Sequence, residues 1–224
     1  MSDIEEEYFL DNERTHEFIE TVRNIADDHD DIDEYEAISD FLAELHDPFE
    51  ELLLDDEWLP ELYVNSPPED YEDHGEMGRD ISQWLLYRSD DLVLFSLVIP
   101  PGVETPVHDH LAWGLVGLYQ GRQEESFYRR VDEMDNDIGP AELELDRVQD
   151  QGRGDFYELI PPEDDIHKVK TSSDVPSVSI HLLGSDVGCI QRHAFDPEDN
   201  FVEQFMSHYT NVRCDTNGLV QGGH

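Results

Sequence analysis

A mainly β fold, an antiparallel sandwich or barrel preceded by helices, follows from three features of this 224-residue chain. From about residue 81 onward, short apolar runs recur at regular intervals between Gly, Pro and Asp turn signals. Before that point the apolar residues keep a helical period instead. A hydrophobic fraction of 38%, with 10% aromatics, is enough for a real core.

The elements can be read in order. Phe18, Val22, Ile25 and Ala26 share one helical face, with Thr15 as the expected N-cap. Ile38, Phe41, Leu42 and Leu45 repeat the spacing. Asp47-Pro48 reads as the cap and first turn of a third, short helix through Leu54. The stretch NSPPEDYEDHGEMGRD is rich in Pro, Gly and acids and reads as a connection. The expected division is therefore a helical segment, 1–75, packed on a barrel, 76–224. In the second part LVLFSLVIP, AWGLVGLYQG, ESFYRRV, AELELDRV, DFYELIP, IHKVKT, VPSVSIHLLG and CIQRHAF are the expected strands. Residues 196–224 are expected to wrap the barrel and fray.

The charge balance is extreme. Fifty-six acidic residues against thirteen basic ones give a formal charge of −43, and Lys168 and Lys170 are the only lysines. Self-repulsion on this scale is screened at molar salt, where the Debye length falls to about 3 Å. The acids are spread along the chain, which suggests a halophile's protein, soluble in brine. Nucleic-acid binding is excluded for want of a basic patch. The run Asp27–Asp33 lacks calcium-loop spacing and reads as solvated surface. No apolar run is long enough for a membrane span, and the first residues lack a signal peptide's basic and apolar regions. Two cysteines, Cys189 and Cys214, without metal-type spacing suggest a reducing compartment, and Cys189 reads as a small core residue. A cytoplasmic monomer or homodimer acting on a small molecule is the expectation.

Three histidines carry the chemistry. His108 and His110 are one residue apart on an expected strand, so both face one side and can grip one ion. His167 follows after turns and further strands. Three neutral imidazoles on a divalent metal leave positions open for a substrate and for oxygen. His193, beside Arg192, would face the other side of its strand and is left out.

Around these histidines the chain resembles the cupins. Gly102, His108, His110 and Gly121 fall at the spacing of the first cupin motif, with Gly114 at its Glu position. Gly154, Pro161 and His167 match the second motif, with Asp164 where a Gly is usual. Lack of the Glu makes the chain similar to the thiol dioxygenases, which bind iron through three histidines. The segments TPVHDHLAWGLVG, GD…IP…DIHKV and SVSIHLLGSDVG…RHAFD resemble the bacterial 3-mercaptopropionate branch over roughly residues 81–211. The resemblance implies a jelly-roll barrel, an Fe(II) cofactor on His108, His110 and His167, and oxidation of a small thiol carboxylate to its sulfinic acid by O2. It also implies substrate contacts from Arg192 and Gln83, and a Ser179–His181 relay whose third member, a Tyr in the family, is Leu183 here. Tyr119, Tyr128, Tyr157 and Tyr209 are the candidates to replace that hydroxyl.

Other readings stay open at this point. His181 can be a buried histidine satisfied by Ser179. Arg192 can be paired with a carboxylate such as Asp196. A cupin that binds a small ligand or metal without catalysis is the alternative function, and an oxygenase acting on a diketone or flavonol is a third. Leu183 favours the non-catalytic reading, whereas Ser179, His181 and Arg192 favour the enzyme.

Overall fold

The structure, a computed structural model, describes residues 6–29, 35–68, 71–72, 75, 77–78, 80–132 and 136–214. Asn12, not Thr15, caps the first helix, α1 (Glu13–Ala26). The Asn12 side chain accepts from the Thr15 amide at 2.9 Å and from the Thr15 hydroxyl at 2.8 Å. Thr15 lies inside the helix because its hydroxyl completes the cap from the first turn.

The expected second and third helices are one continuous helix, α2 (Tyr35–Leu54), with Pro48 inside it. Phe41, Leu42, Leu45, Phe49, Leu52 and Leu53 form a single buried stripe that crosses the proline. Tertiary burial of that stripe outweighs the one hydrogen bond the proline removes.

The described strands are β1 (Glu7–Tyr8), β2 (Ser82–Arg88), β3 (Val93–Ile99), β4 (Val107–His108), β5 (Gly114–Gln120), β6 (Arg122–Arg130), β7 (Gly139–Pro140), β8 (Leu143–Gly152), β9 (Phe156–Leu159), β10 (Ile166–Thr171), β11 (Ser177–Leu183), β12 (Arg192–Asp196) and β13 (Phe201–Phe205). They form two antiparallel sheets, in the orders β1-β2-β3-β11-β5-β9 and β7-β13-β12-β4-β10-β6-β8. The chain changes sheet at β3–β4, β4–β5, β5–β6, β8–β9, β9–β10, β10–β11 and β11–β12. That alternation makes a double-stranded β-helix, the jelly-roll barrel of the cupin type.

The six-stranded sheet is covered on both faces. Its outer face (Trp84, Leu86, Leu94, Val98, Ile180, Leu182) packs on α1 and α2 through Phe18, Ile19, Val22, Phe41, Leu45 and Phe49. Its inner face (Leu85, Phe95, Leu97, Val116, Leu183) meets Val169 of the other sheet and Tyr209. Double burial explains why β3 reads as an apolar run interrupted only by Ser96 rather than as an alternation.

The C-terminal segment runs along the barrel through residue 214, and the fraying expected of it falls on residues 215–224, which lie outside the described residues. β13 pairs with β12. Beyond it, Thr210 exchanges backbone and hydroxyl hydrogen bonds with Gln83, and Asn211 does the same with Leu85 through its amide. The segment thus replaces a neighbouring strand along β2. It also carries Cys214, which forms a disulfide with Cys189 at a Cα–Cα distance of 5.2 Å. The expectation of unpaired cysteines is corrected, and the argument from cysteine usage to a reducing compartment falls with it. The pairing is tertiary, between residues 25 apart, and has no spacing signature in the sequence. Of the acidic run Asp27–Asp33, residues 30–33 lie outside the described residues. Among the described residues no helix is long and apolar enough to cross a membrane.

Candidate metal centre

β4 is the hinge of the site. It is short, Val107–His108, and lies between β10 and β12. His108 is the register partner of His167 on β10 and of Ala194 on β12. His110 stands just beyond the strand, in a turn where Leu111 takes φ of 55°. The Asp165 carboxylate holds this turn by accepting from the amides of His110 at 2.7 Å and Leu111 at 3.1 Å. Asp109, between the two histidines, points away from them and binds His193: the His193 amide donates to Oδ1 at 2.8 Å and Nδ1 lies 2.5 Å from Oδ2.

The three imidazoles converge. Their ring centroids are 5.0 Å apart for His108 and His110, 4.8 Å for His108 and His167, and 4.9 Å for His110 and His167. One nitrogen from each lies within 4.8 Å of the others, and all three residues are buried. A metal-loaded site with bonds of about 2.0–2.2 Å would draw these nitrogens to roughly 3–3.5 Å.

Each ring has its Nδ1 occupied from behind. The His108 Nδ1 is 3.0 Å from the Pro106 carbonyl, so it donates there. The His110 Nδ1 is 3.2 Å from Asp165 Oδ1. The His167 Nδ1 is 3.2 Å from the Tyr157 hydroxyl and 3.4 Å from Glu125 Oε2. The His167 Nε2 is buried without a hydrogen-bond partner. A buried nitrogen left bare by the protein suits a metal ligand. Burial, then the neighbouring histidines, holds His108 and His110 well below the usual imidazole range. Both are therefore neutral at pH 7, as ligation requires.

Gly114, at the motif's Glu position, leaves no room for a side chain. A Cβ there would lie 2.1 Å from the Leu182 carbonyl and 2.5 Å from Leu183 Cδ2. The motif glycines Gly102 and Gly121 both have positive φ, 74° and 79°, which explains their identity at strand ends.

Opposite the histidines, the inner face of the six-stranded sheet carries a polar row. Gln83 is in register with Leu97, and Leu97 with Ser179. His181 follows Ser179 on the same face and stacks on Phe95 at 4.5 Å. Its ring centroid is 6.4 Å from that of His110. The Ser179 Oγ is 3.0 Å from His181 Nε2, while His181 Nδ1 and Gln83 Nε2 are buried without partners. Burial, then the charges His110 and His167 would carry, pushes His181 well below the usual range.

None of the four candidate tyrosines bonds to His181. Tyr157 stands behind His167. Tyr209 donates to Asp186 and accepts from the Gly188 amide. Tyr119 packs outside the barrel, edge-on to Trp58. Tyr128 lines an outer cleft. Leu183 is buried among apolar inner residues.

Arg192 is 1% exposed and held on three sides. Its Nε donates to the Val187 carbonyl at 2.9 Å, Nη2 to Ser207 Oγ at 2.9 Å, and Nη1 to the Asp109 carbonyl. It therefore binds the backbone behind His110 to two other segments and is not paired with Asp196. Two of its five N–H groups are left over.

A cleft of about 640 Å3 lies beside the centre. None of the three histidines lines it, but Asp109, Asp165 and Phe127 do. Arg147 covers Phe127 at 3.8 Å and is bound to Asp164. The sequence reading missed Asp165, Glu125 and the Asp109–His193 pair. Acids one or two residues from a ligand, Asp109 and Asp165, were the available signal; Glu125 offered none.

No family model matches the chain. Among solved structures it is similar to the DMSP lyase DddQ from Ruegeria pomeroyi, at 18% identity and a TM-score of 0.36 over 51% of this chain and 53% of that one. The match thus spans about half the lyase. A cupin superfamily protein from Desulfitobacterium hafniense is 14% identical, with a TM-score of 0.37 over 59% of this chain and 94% of that one. The oxalate decarboxylase of Bacillus subtilis is 17% identical, with a TM-score of 0.32 over 44% of this chain and 22% of that one. Likeness of this degree assigns neither activity nor ligand, so the barrel assignment rests on this chain's own strand order.

Proposed function

We propose that the protein is a metal-dependent cupin enzyme, and specifically an Fe(II) thiol dioxygenase that converts a small thiol carboxylate to its sulfinic acid. The observation that carries the reading is the set of three buried, converging imidazoles with no space for a fourth, carboxylate ligand at Gly114. A ferrous ion bound by His108, His110 and His167 would supply the open positions at which a thiolate and dioxygen meet.

The chain's own residues would do the rest. Imidazole ligands put no negative charge on the ion itself, which leaves its open positions to an anionic substrate. Gln83 Nε2, buried and unpartnered, is available to donate to the substrate carboxylate. Arg192 adds a fixed positive charge nearby, with two N–H groups to spare. The Ser179 hydroxyl orients His181, whose free Nδ1 can hold or pass a proton inside the barrel. The apolar neighbours Phe95, Leu97 and Leu183 exclude water from that space.

A second reading, a cupin that binds metal or ligand without turnover, draws on one observation: no tyrosine hydroxyl bonds to His181, and Leu183 occupies the family's Tyr position. Metal analysis with an oxygen-uptake assay over a panel of thiols in molar KCl separates the two. Oxygen consumption with sulfinate formation supports the enzyme. An iron-loaded protein that consumes no oxygen with any thiol supports the binding protein.

A further inference from the structure

Two buried carboxylates stand behind the three imidazoles, and only one of them has a structural reason to be there. Asp165 accepts two backbone amides and so holds the turn that carries His110. Glu125 holds no turn. It lies on the inner face of β6, 1% exposed, and His167 is its only ion-pair partner among the described residues. The Tyr157 hydroxyl meets the same His167 Nδ1, at 3.2 Å. A carboxylate buried beside a neutral phenol and an imidazole is costly. The cost is offset if the imidazole carries part of a cation's charge.

Resting on the metal-centre reading, we propose that Glu125 is a positioning residue for the metal, acting through His167, whose Nδ1 it shares with the Tyr157 hydroxyl. Glu125 accepts from His167 Nδ1, which fixes the tautomer in which Nε2 offers its lone pair inward. The bare, buried Nε2 is the matching half of that arrangement. A dication on Nε2 makes Nδ1–H a stronger donor, and the carboxylate answers it at 3.4 Å. The negative charge that Gly114 denies the metal's own ligand set is thereby supplied one ring further out. His108, backed only by the Pro106 carbonyl, receives no such charge.

The test uses the full chain in molar KCl. Wild type, E125Q and Y157F are stripped of metal and titrated with Co(II) or Zn(II) against a chromophoric chelator, and the thermal unfolding of each metal-free protein is recorded. E125Q is expected to weaken metal binding by about 10–100-fold while the metal-free protein melts at about the same temperature, because Gln keeps the size and one acceptor oxygen of Glu. Y157F is expected to weaken binding less. A purely structural carboxylate would instead lower the melting temperature of the metal-free protein. The inference is overturned if wild type binds the ion and E125Q binds it equally well, or if E125Q loses stability without metal. If wild type binds neither ion, the metal-centre reading itself falls, and this inference with it.

Discussion

His108 and His167 are directly opposed across the β4–β10 pair, with ring centroids 4.8 Å apart, although 59 positions separate them in sequence. Directly opposed residues of an antiparallel pair place their side chains on one face, so pairing register alone brings these two rings together. A one-residue slip of β10 would turn His167 out of the barrel. The centre is therefore as secure as the β6–β10 ladder that fixes the register of β10.

Replacing any one of His108, His110 or His167 by Ala should abolish equimolar metal binding, read by elemental analysis after dialysis. His181→Ala should retain the metal, because its nitrogens face Ser179 and the barrel interior. Metal loss in His181→Ala would place it among the ligands and sink the three-histidine assignment.

Gly114→Glu should not supply a fourth ligand. Its Cβ would collide with the Leu182 carbonyl at 2.1 Å, and backbone cannot yield as a flexible side chain can. The expected result is a loss of stability of about 1–3 kcal/mol or more from overpacking, with no gain in metal affinity. Tighter metal binding by a stable Gly114→Glu protein would contradict this account.

For substrate choice, 3-mercaptopropionate should be oxidised with a higher kcat/KM than L-cysteine. Gln83→Ala should cost about 1 kcal/mol in kcat/KM, the scale of a neutral hydrogen bond. Arg192→Ala cannot be read from kinetics alone. It strips three acceptors of their donor and should lower the melting temperature as well as kcat/KM. Preference for L-cysteine would remove the argument from Gln83.

Salt dependence follows from composition. With a formal charge of −43, lowering KCl to about 0.1 M should leave the acidic surface poorly screened and unfold or inactivate the protein. Circular dichroism across a KCl series measures it. Unchanged stability at low salt would mean that the acids serve another purpose.

The metal-free protein should lose stability as pH falls below about 6.5. His108, His110 and His181 have depressed folded values, so the unfolded chain takes up protons that the folded one refuses. Stability then rises with pH through the unfolded value of 6.5 and is lost below it, by up to about 1.4 kcal/mol per pH unit for each histidine. The raised carboxyls Asp109, Asp165 and Asp186 act in the opposite direction, just above the ordinary carboxylate range, because there the folded state holds the extra protons. Denaturant midpoints between pH 5 and 8 test the histidine arm, and a flat profile would show that these rings are not buried neutral.

The sequence by itself determined the class of the fold, the two helical faces and the candidate ligand triad. Each is written in short-range patterns: the 3.6-residue period of Phe18 and Val22, the His-x-His of His108 and His110 (although His110 stands in the turn beyond β4), and glycines where strands end at Gly102 and Gly121. Only the tertiary structure decided how the triad is backed and bounded. Glu125 reaches His167 over 42 positions, Asp165 reaches His110 over 55, and Arg192 reaches the Asp109 carbonyl over 83. Cys189 meets Cys214, and α2 runs on through Pro48, for the same reason. Strand register and the packing of one layer on another set such contacts, and neither has a period along the chain.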